Sequence, residues 1–198
     1  AINVDIMKKK GVTFNDVIEA YSDSGKVEDL VEKAPLAEGV LGMVVKHHPP
    51  PHTAQKYRIP KIWKGDLESD TGKALLACDD NGPTIMMCVN MTIDPAAGPV
   101  AIGRLFSGKI KDGQTINIID TNREGRVQSV NFFMSNVREQ VGELGAGNIP
   151  ALLGLTDVRA GQTISTVKDI PVFEASKYVS EPVVQMAIEP KHPKDLPK

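Results

Sequence analysis

The sequence predicts a mainly β protein in which an N-terminal α-helical segment precedes an antiparallel β-barrel. Three observations support this fold class. Short apolar runs with a period of two continue from about residue 85 to residue 166. Turn-forming pairs such as Asp112-Gly113 interrupt these runs at close intervals, whereas the first third of the chain carries apolar residues at helical spacing. Many short strands joined by tight turns are typical of a closed antiparallel barrel.

The first predicted helix begins after Thr13. The Thr13 hydroxyl can accept a hydrogen bond from a backbone N–H that has no partner within the helix, and Asp16 places a negative charge in the first turn. The residues spaced to cover one apolar face of this helix are Phe14, Val17, Ile18 and Tyr21.

Two further helices are predicted before the barrel. One lies around residues 26–32, and the other begins at Pro35, whose fixed φ suits a first helical turn. The apolar stripe of this last helix consists of Leu36, Val40, Leu41, Val44 and Val45. The proline run at 49–51 prevents its continuation, because proline has no backbone N–H to donate.

Residues 52–68 are predicted to form a linker that is docked rather than free. A free linker seldom carries as many large apolar groups as Tyr57, Ile59, Ile62 and Trp63. We therefore expect these side chains to pack on a neighbouring surface, with Trp63 as the interdomain anchor.

Six strands are predicted in the barrel, at residues 85–93, 100–106, 115–119, 126–132, 149–155 and 163–166. Turn signals separate them at residues 94–95, 112–113, 122–125, 145–147 and 159–161. The clearest pattern is residues 104–116 (RLFSGKIKDGQTI), where alternation, the Asp112-Gly113 turn and renewed alternation predict a β-hairpin.

Composition limits the classes of function. A chain of 198 residues with 41% hydrophobic residues can bury an ordinary core without metals or disulfides. The formal charge of −2 excludes a globally basic nucleic-acid binder, so any RNA contact must be a local patch. Cys78 and Cys88 lack the spacing of a zinc or disulfide site, which favours reduced thiols in a cytosolic protein. No apolar run approaches the ~20 residues that a membrane span needs.

Several motifs occur in an order typical of one family. They are residues 78–83 (CDDNGP), 103–116, 146–149 (AGNI), 160–163 (AGQT) and 180–184 (SEPVV). Over essentially its whole length the chain resembles the translational GTPases. Residues 81–83 (NGP) and 191–198 (KHPKDLPK) are similar to the archaeal and eukaryotic elongation factor 2 branch of that family.

The resemblance implies a piece of a longer ribosomal translocase, an expectation that the first residue, Ala1, and the end within residues 195–198 also favour. Residues 1–68 would be the helical C-terminal end of the G domain plus a linker. Residues 69–170 would be a β-barrel of the translation-factor domain II type, and residues 171–198 a linker and the first strand of domain III. The apolar residues of that strand are Val183, Val184, Met186 and Ile188.

The resemblance also implies the activity and partners of the parent protein. The parent would be a cytoplasmic GTPase that binds GTP with Mg²⁺ and drives ribosomal translocation of tRNA and mRNA. Its barrel would dock on small-subunit rRNA and relay the nucleotide state. Its partners would be the ribosome and the remaining domains of the factor, with no membrane partner.

The chain itself lacks a nucleotide site in its sequence. Gly72-Lys73 resembles the end of a P-loop, yet Leu67 stands where the first glycine is needed and Ala74 where the Mg²⁺-binding hydroxyl is needed. A surface turn is the expected structure there. With no guanine-specificity or switch motif either, we expect no catalytic residue, no bound nucleotide and no cofactor in this chain, which should be inactive alone.

Two other segments are weak candidates for ligand binding. His47, His48 and His52 have no carboxylate or cysteine placed to complete a metal shell, so we expect a solvated helix end and no metal. Residues 142–148 are glycine-rich, but they join two strands rather than a strand and a helix, which predicts a turn and no phosphate site.

The basic residues of the barrel are the candidate rRNA contacts. They are Arg104, Lys109, Lys111, Arg123, Arg126 and Arg138. Guanidinium groups match phosphate oxygens, and Arg123 and Arg126 flank a predicted hairpin tip, so residues 123–138 are the favoured RNA-binding hairpin. The alternative is a solvated barrel rim on which these cations pair with acidic neighbours. Those neighbours would be Asp112, Asp120, Glu124 and Glu139.

Two other functions stay open. The barrel could belong to another translational GTPase, such as an elongation factor G, a release-factor GTPase or a biogenesis GTPase, since these share the pattern of residues 103–116. Residues 81–83 and 193–195 argue against that assignment. The second alternative is a free-standing β-barrel module that binds other proteins, which predicts a complete, self-capped domain.

Overall fold

The computed structural model describes residues 2–23, 27–94, 97–135, 137–174 and Met186. The helices of this part of the chain are α1 (Ile2–Lys9), α2 (Phe14–Ser22), α3 (Val27–Lys33), α4 (Leu36–His47), α5 (Pro51–Ile62) and α6 (Asp70–Ala77). None of these helices is both long and apolar enough to cross a membrane.

Ten short strands follow within the described residues. They are β1 (Ile85–Asp94), β2 (Gly98–Ser107), β3 (Lys109–Lys111), β4 (Thr115–Ile118), β5 (Arg123–Arg126), β6 (Ser129–Met134), β7 (Val137–Gln140), β8 (Glu143–Gly145), β9 (Ala151–Leu153) and β10 (Thr163–Ser165). The strand predicted around Val183, Val184 and Ile188 lies outside the described residues, as do residues 191–198. Met186 is described and exposed.

The start of α2 confirms the predicted N-cap. The backbone N–H of Thr13 donates to the Asp16 carboxylate at 2.6 Å, and the backbone N–H of Asp16 donates to the Thr13 hydroxyl at 3.4 Å. This reciprocal pair is a capping box, which satisfies two backbone groups at the helix end.

The apolar faces of α2 and α4 point outward. Phe14 is 77% exposed and Tyr21 is 93% exposed, while Leu41 and Val45 of α4 are also exposed. The closest packing of α2 is with α3, and that of α4 is with α1, so the described chain offers these faces no large apolar surface to pack on.

The linker predicted for residues 52–68 is mostly helical. Pro51 occupies the first turn of α5, where a missing N–H costs nothing, and so the prolines that end α4 at His47 also begin a new helix. Gln55 and Ile59, one turn apart, are buried. The surface turn predicted at Gly72-Lys73 is wrong, because these residues lie in helix α6. Ser69 caps the start of this helix, and its hydroxyl accepts from Gly72 N at 3.1 Å.

The strands form a barrel-like antiparallel sheet, which confirms the predicted fold class. Its order is β5-β4-β10-β1-β2-β9-β6-β7, and β3 pairs with β8 in a separate two-stranded ribbon. Among the described strands, hydrogen bonds do not close the larger sheet into a continuous ring. Its enclosed apolar cluster contains Leu105, Ile110, Ile116, Leu152 and Ile164, among others.

The predicted hairpin at residues 104–116 is wrong in its pairing and correct in its turn. Gly113 has a φ of +77°, as expected. However, β2 pairs with β1 and β9, and β4 pairs with β5 and β10, so the two predicted arms are not neighbours. The short strand β3 lies between β2 and β4 in sequence and pairs with β8.

Trp63 joins α5 to the barrel, and its role as an interdomain anchor stays a prediction. It belongs to a second apolar cluster, between the helices α5 and α6 and the outer face of the sheet, with Leu75, Phe106 and Phe173. Its indole N–H donates to the Pro171 carbonyl at 2.7 Å, and Trp63 forms a β-bridge with Phe173. The segment that leaves β10 therefore returns to the end of α5.

Candidate nucleic-acid interface

The six predicted rRNA-contacting residues are distributed over four strands. Arg104 lies in β2, Lys109 and Lys111 lie in β3, Arg123 and Arg126 lie in β5, and Arg138 lies in β7. Residues 123–138 do not form one hairpin, because β5 pairs with β4 and β7 pairs with β6 at opposite ends of the strand order. The turn near Arg123 consists of a short 3-10 turn, Ile119–Thr121, and Asn122, which has a φ of +51°.

The β3–β8 ribbon brings two lysines to one carboxylate. The ammonium groups of Lys109 and Lys111 lie 3.8 Å and 3.0 Å from the Glu143 carboxylate. The hydrogen bond from Lys111 is the main reason that the pKa of Glu143 is lowered. All three side chains are exposed, so this cluster contributes little to stability but keeps positive charge at the surface.

The two arginines of β5 contact different neighbours. Arg123 forms an ion pair with Asp157 at 3.2 Å, in the loop before β10. The Arg126 guanidinium donates to the Gly113 carbonyl at 3.2 Å, at the turn before β4. Both side chains are exposed, and neither contact is strong enough to prevent exchange for a phosphate.

Arg138 is less accessible than Lys109, Lys111 and Arg123. Its guanidinium lies 3.2 Å from the Asp94 carboxylate, and both side chains are largely covered. The pair connects β7 with the end of β1, which indicates a structural contribution in addition to its charge.

Three of the acids predicted to pair with the barrel cations, Asp112, Asp120 and Glu124, contact other groups instead. The Asp112 carboxylate accepts from the backbone N–H of Val130 and from Gln140, and Asp120 accepts from Thr163 N at 2.7 Å. Glu124 pairs with Lys168. These acids hold turns and strands in register, and the barrel cations pair instead with acids that are distant in sequence.

Arg104 is half-buried, and no carboxylate in the described part of the chain forms an ion pair with it. Arg126 also has no carboxylate partner there, but it is exposed and donates to the Gly113 carbonyl. Burial is the main cause that lowers the pKa of Arg104, and the nearby positive charge of Arg58 acts in the same direction. Sequence analysis missed Arg58, because residues 52–68 were assigned to a linker rather than to a helix.

Arg58 and Arg104 line one groove between α5 and β2. The groove has a volume of about 420 Å³, and its lining residues are His48, Pro49, Ala54, Gln55, Tyr57, Arg58, Ile62, Arg104 and Phe106. These nine residues include no aspartate or glutamate. Helical spacing of Gln55, Arg58 and Ile62 was the signal that could have identified this surface.

The two cysteines differ in their chemistry. Burial raises the pKa of Cys88 to about 11, and burial also raises the pKa of Cys78, against the opposing charge of Arg104. Both thiols are free. A pKa of about 11 in place of 9.0 reduces the Cys88 thiolate fraction at pH 8 about 100-fold.

We therefore expect iodoacetamide at pH 8 to modify Cys78 at least ~10-fold faster than Cys88 in the folded chain. Mass spectrometry of timed digests measures both rates, and the difference should disappear in urea, where both thiols are solvated. Equal rates in the folded chain would contradict the burial of Cys88.

Comparisons with known proteins agree with this architecture. The family described as elongation factor Tu domain 2 matches residues 98–165, from β2 to β10. Elongation factor 2 of Cenarchaeum symbiosum (strain A) is 77% identical over 198 residues, which is 100% of this chain and 27% of the relative. Elongation factor 2 of Methanocaldococcus jannaschii is 49% identical over 199 residues, and that of Sulfurisphaera tokodaii is 48% identical over 202 residues.

These matches extend over the helices as well as over the barrel. The chain spans about a quarter of the length of these relatives, since it covers 27% of each of them. Identity over 99–100% of the chain, together with the matching barrel, shows that the chain belongs to the elongation factor 2 family.

Proposed function

We propose that this chain is part of a translation elongation factor 2 that catalyses GTP-dependent ribosomal translocation of tRNA and mRNA. The observation that carries the proposal is the 77% identity, over the whole chain, with a protein named elongation factor 2. The parent factor would work in the cytoplasm and use GTP with Mg²⁺. The chain alone would bind no nucleotide, because Leu67 and Ala74 stand where a P-loop needs glycine and a hydroxyl.

The proposed division of the chain follows the parent factor. Residues 1–68 would end the G domain, residues 69–170 would form the domain II barrel, and residues 171–198 would begin domain III. The exposed apolar faces of α2 and α4 support this division, because Phe14 and Leu41 are the kind of residue that packs against a neighbouring domain. The remaining domains of the parent would cover these faces.

The barrel would dock on small-subunit rRNA through its exposed cations. Arg123, Arg126 and Lys111 support this assignment, because their side chains are exposed and their present contacts are weak surface contacts. An arginine can exchange such a contact for a phosphate oxygen, which it binds with two parallel N–H donors. In the parent, the barrel would also relay the nucleotide state.

Co-sedimentation with isolated small and large ribosomal subunits tests the docking surface. We expect salt-sensitive binding to the small subunit. The double variant Arg123→Ala/Arg126→Ala should weaken it at least ~10-fold at low salt and reduce the salt slope by about 2, which is one for each phosphate contact.

The matched control is Lys64→Ala/Lys73→Ala, which removes two exposed cations outside the barrel strands. It has the same net charge as the test variant and should bind nearly as well as the unchanged chain. An equal loss of binding in both variants would mean that the loss reflects net charge and not a specific contact of Arg123 and Arg126. If the unchanged chain binds neither subunit, the docking proposal is contradicted. The affinity of the parent for the ribosome would then lie in its other parts, and the barrel would act as a scaffold.

A further inference from the structure

The groove between α5 and β2 holds two guanidinium groups without a carboxylate among its lining residues. Arg58 extends from α5 and Arg104 from β2, and they are close enough that the charge of Arg58 lowers the pKa of Arg104. Two like charges that line one groove repel each other, and an anion between them would offset that repulsion.

This arrangement is unusual on the described surface of the barrel. Lys109, Lys111, Arg123 and Arg138 each have a carboxylate within 4.0 Å, and the exposed Arg126 donates to the Gly113 carbonyl. The half-buried Arg104 has neither kind of contact among the described residues. A cation that is partly removed from water loses hydration, and that loss is normally offset by a partner. The missing partner of Arg104 is therefore expected to be a ligand.

We infer that the groove between Arg58 and Arg104 binds a phosphate group. A phosphate group offers several oxygens and can accept from two guanidinium forks at once. The groove volume of about 420 Å³ leaves room for a ligand larger than one phosphate. Tyr57 is 49% exposed and also lines the groove, which gives a nucleoside a surface for stacking.

The shared chemistry of the ligand is a phosphate attached to a nucleoside. It can come from an RNA backbone or from a free nucleotide. Only the RNA source rests on the proposed function. If the ligand is RNA, Arg58 and the exposed face of α5 become part of the surface that docks on rRNA. Phosphate binding in the groove without ribosome binding would support this inference and contradict the proposed docking.

Nitrogen-15 NMR of the arginine side chains in the 198-residue chain tests the site directly. The probes are inorganic phosphate, adenosine monophosphate and a uridine hexanucleotide, each titrated at constant ionic strength. We expect the Nε–H signals of Arg58 and Arg104 to shift together with one saturation curve, while that of Arg159, an exposed arginine outside the groove, stays in place.

Three single substitutions separate the site from general charge. Arg58→Gln and Arg104→Gln should each weaken binding of the saturating probe at least ~5-fold, whereas Arg159→Gln should change it less than ~2-fold. Arg58 is exposed, so its substitution keeps the test valid even if the half-buried Arg104 proves necessary for folding.

The outcome among the probes identifies the source of the phosphate. Binding of the hexanucleotide at least ~10-fold tighter than the monophosphate indicates an RNA backbone, and the reverse order indicates a free nucleotide. If no probe shifts both signals at millimolar concentration, or if Arg159→Gln weakens binding as much as Arg58→Gln, the groove is not a phosphate site.

Discussion

Replacing Trp63 with alanine is expected to lower the free energy of unfolding by about 3–5 kcal/mol, which is typical of a buried aromatic side chain. Trp63 is only 2% exposed, and its ring packs in the cluster that joins α5 and α6 to the sheet. The substitution would also remove the donor to the Pro171 carbonyl. The segment after β10 and helix α5 would lose their common anchor together.

Two control variants divide this loss into its causes. Trp63→Phe keeps an aromatic ring but removes the indole N–H, so we expect it to retain more than half of the stability that the alanine variant loses. Tyr57 lies in α5, the helix that Trp63 caps. Tyr57→Ala removes a half-exposed ring, which should cost less than about 1 kcal/mol.

Urea denaturation followed by far-ultraviolet circular dichroism measures these values. Fluorescence is unsuitable because Trp63 is the single tryptophan of the chain. If Trp63→Ala were no more destabilising than Tyr57→Ala, the burial of the indole between α5 and the barrel would be contradicted.

Local features of the fold were predictable because local chemistry determines them. Thr13 is the expected N-cap of α2, with Asp16 in the first turn, and Gly113 and Gly161 have positive φ at the expected turns. In each case the residue satisfies a nearby backbone group or adopts a conformation that other residues avoid. The surrounding fold is not needed to make these predictions.

Strand pairing was not predictable in the same way. Residues 104–116 have the alternation of a hairpin, yet the two arms do not pair with each other. The first arm, β2, pairs with the preceding strand β1 and with the distant β9, and the second arm, β4, pairs with the following strand β5 and with the distant β10. Alternation specifies which residues face the interior, but it does not specify which strand lies beside which. The interruption by β3 is visible only when β8, more than thirty residues later, is known to be its partner.

The same distinction applies to the candidate interface. The cations themselves were identified from sequence, but their acidic partners were not, because Asp157 and Asp94 approach Arg123 and Arg138 only through the folded sheet. Arg58 was missed for a different reason. Prolines at both ends of α5 made a helix look like a linker, although Pro51 and Pro60 lie in its first and last turns.

Replacing Gly108 with alanine is expected to destabilise the barrel by about 3 kcal/mol or more. This value is the sum of the free-energy cost of a left-handed backbone conformation and the cost of an overpacked contact. Gly108 has a φ of +73°, between β2 and β3. A Cβ atom there would lie 2.6 Å from both the backbone N and the Cα of Thr84. These are backbone atoms, which cannot rotate aside as a long side chain can.

Gly113→Ala is the matched control, because it separates backbone conformation from crowding. Gly113 has nearly the same φ, +77°, but the nearest atom to its added Cβ would be the Arg126 guanidinium at 3.7 Å. We expect this variant to lose only about 1–2 kcal/mol, the cost of the left-handed conformation. Any effect of alanine on the unfolded chain is similar in both variants, so the difference in urea stability reports the contact with Thr84. Equal losses would mean that the β2–β3 junction moves away from Thr84 at little cost, and that the close approach is not what requires glycine there.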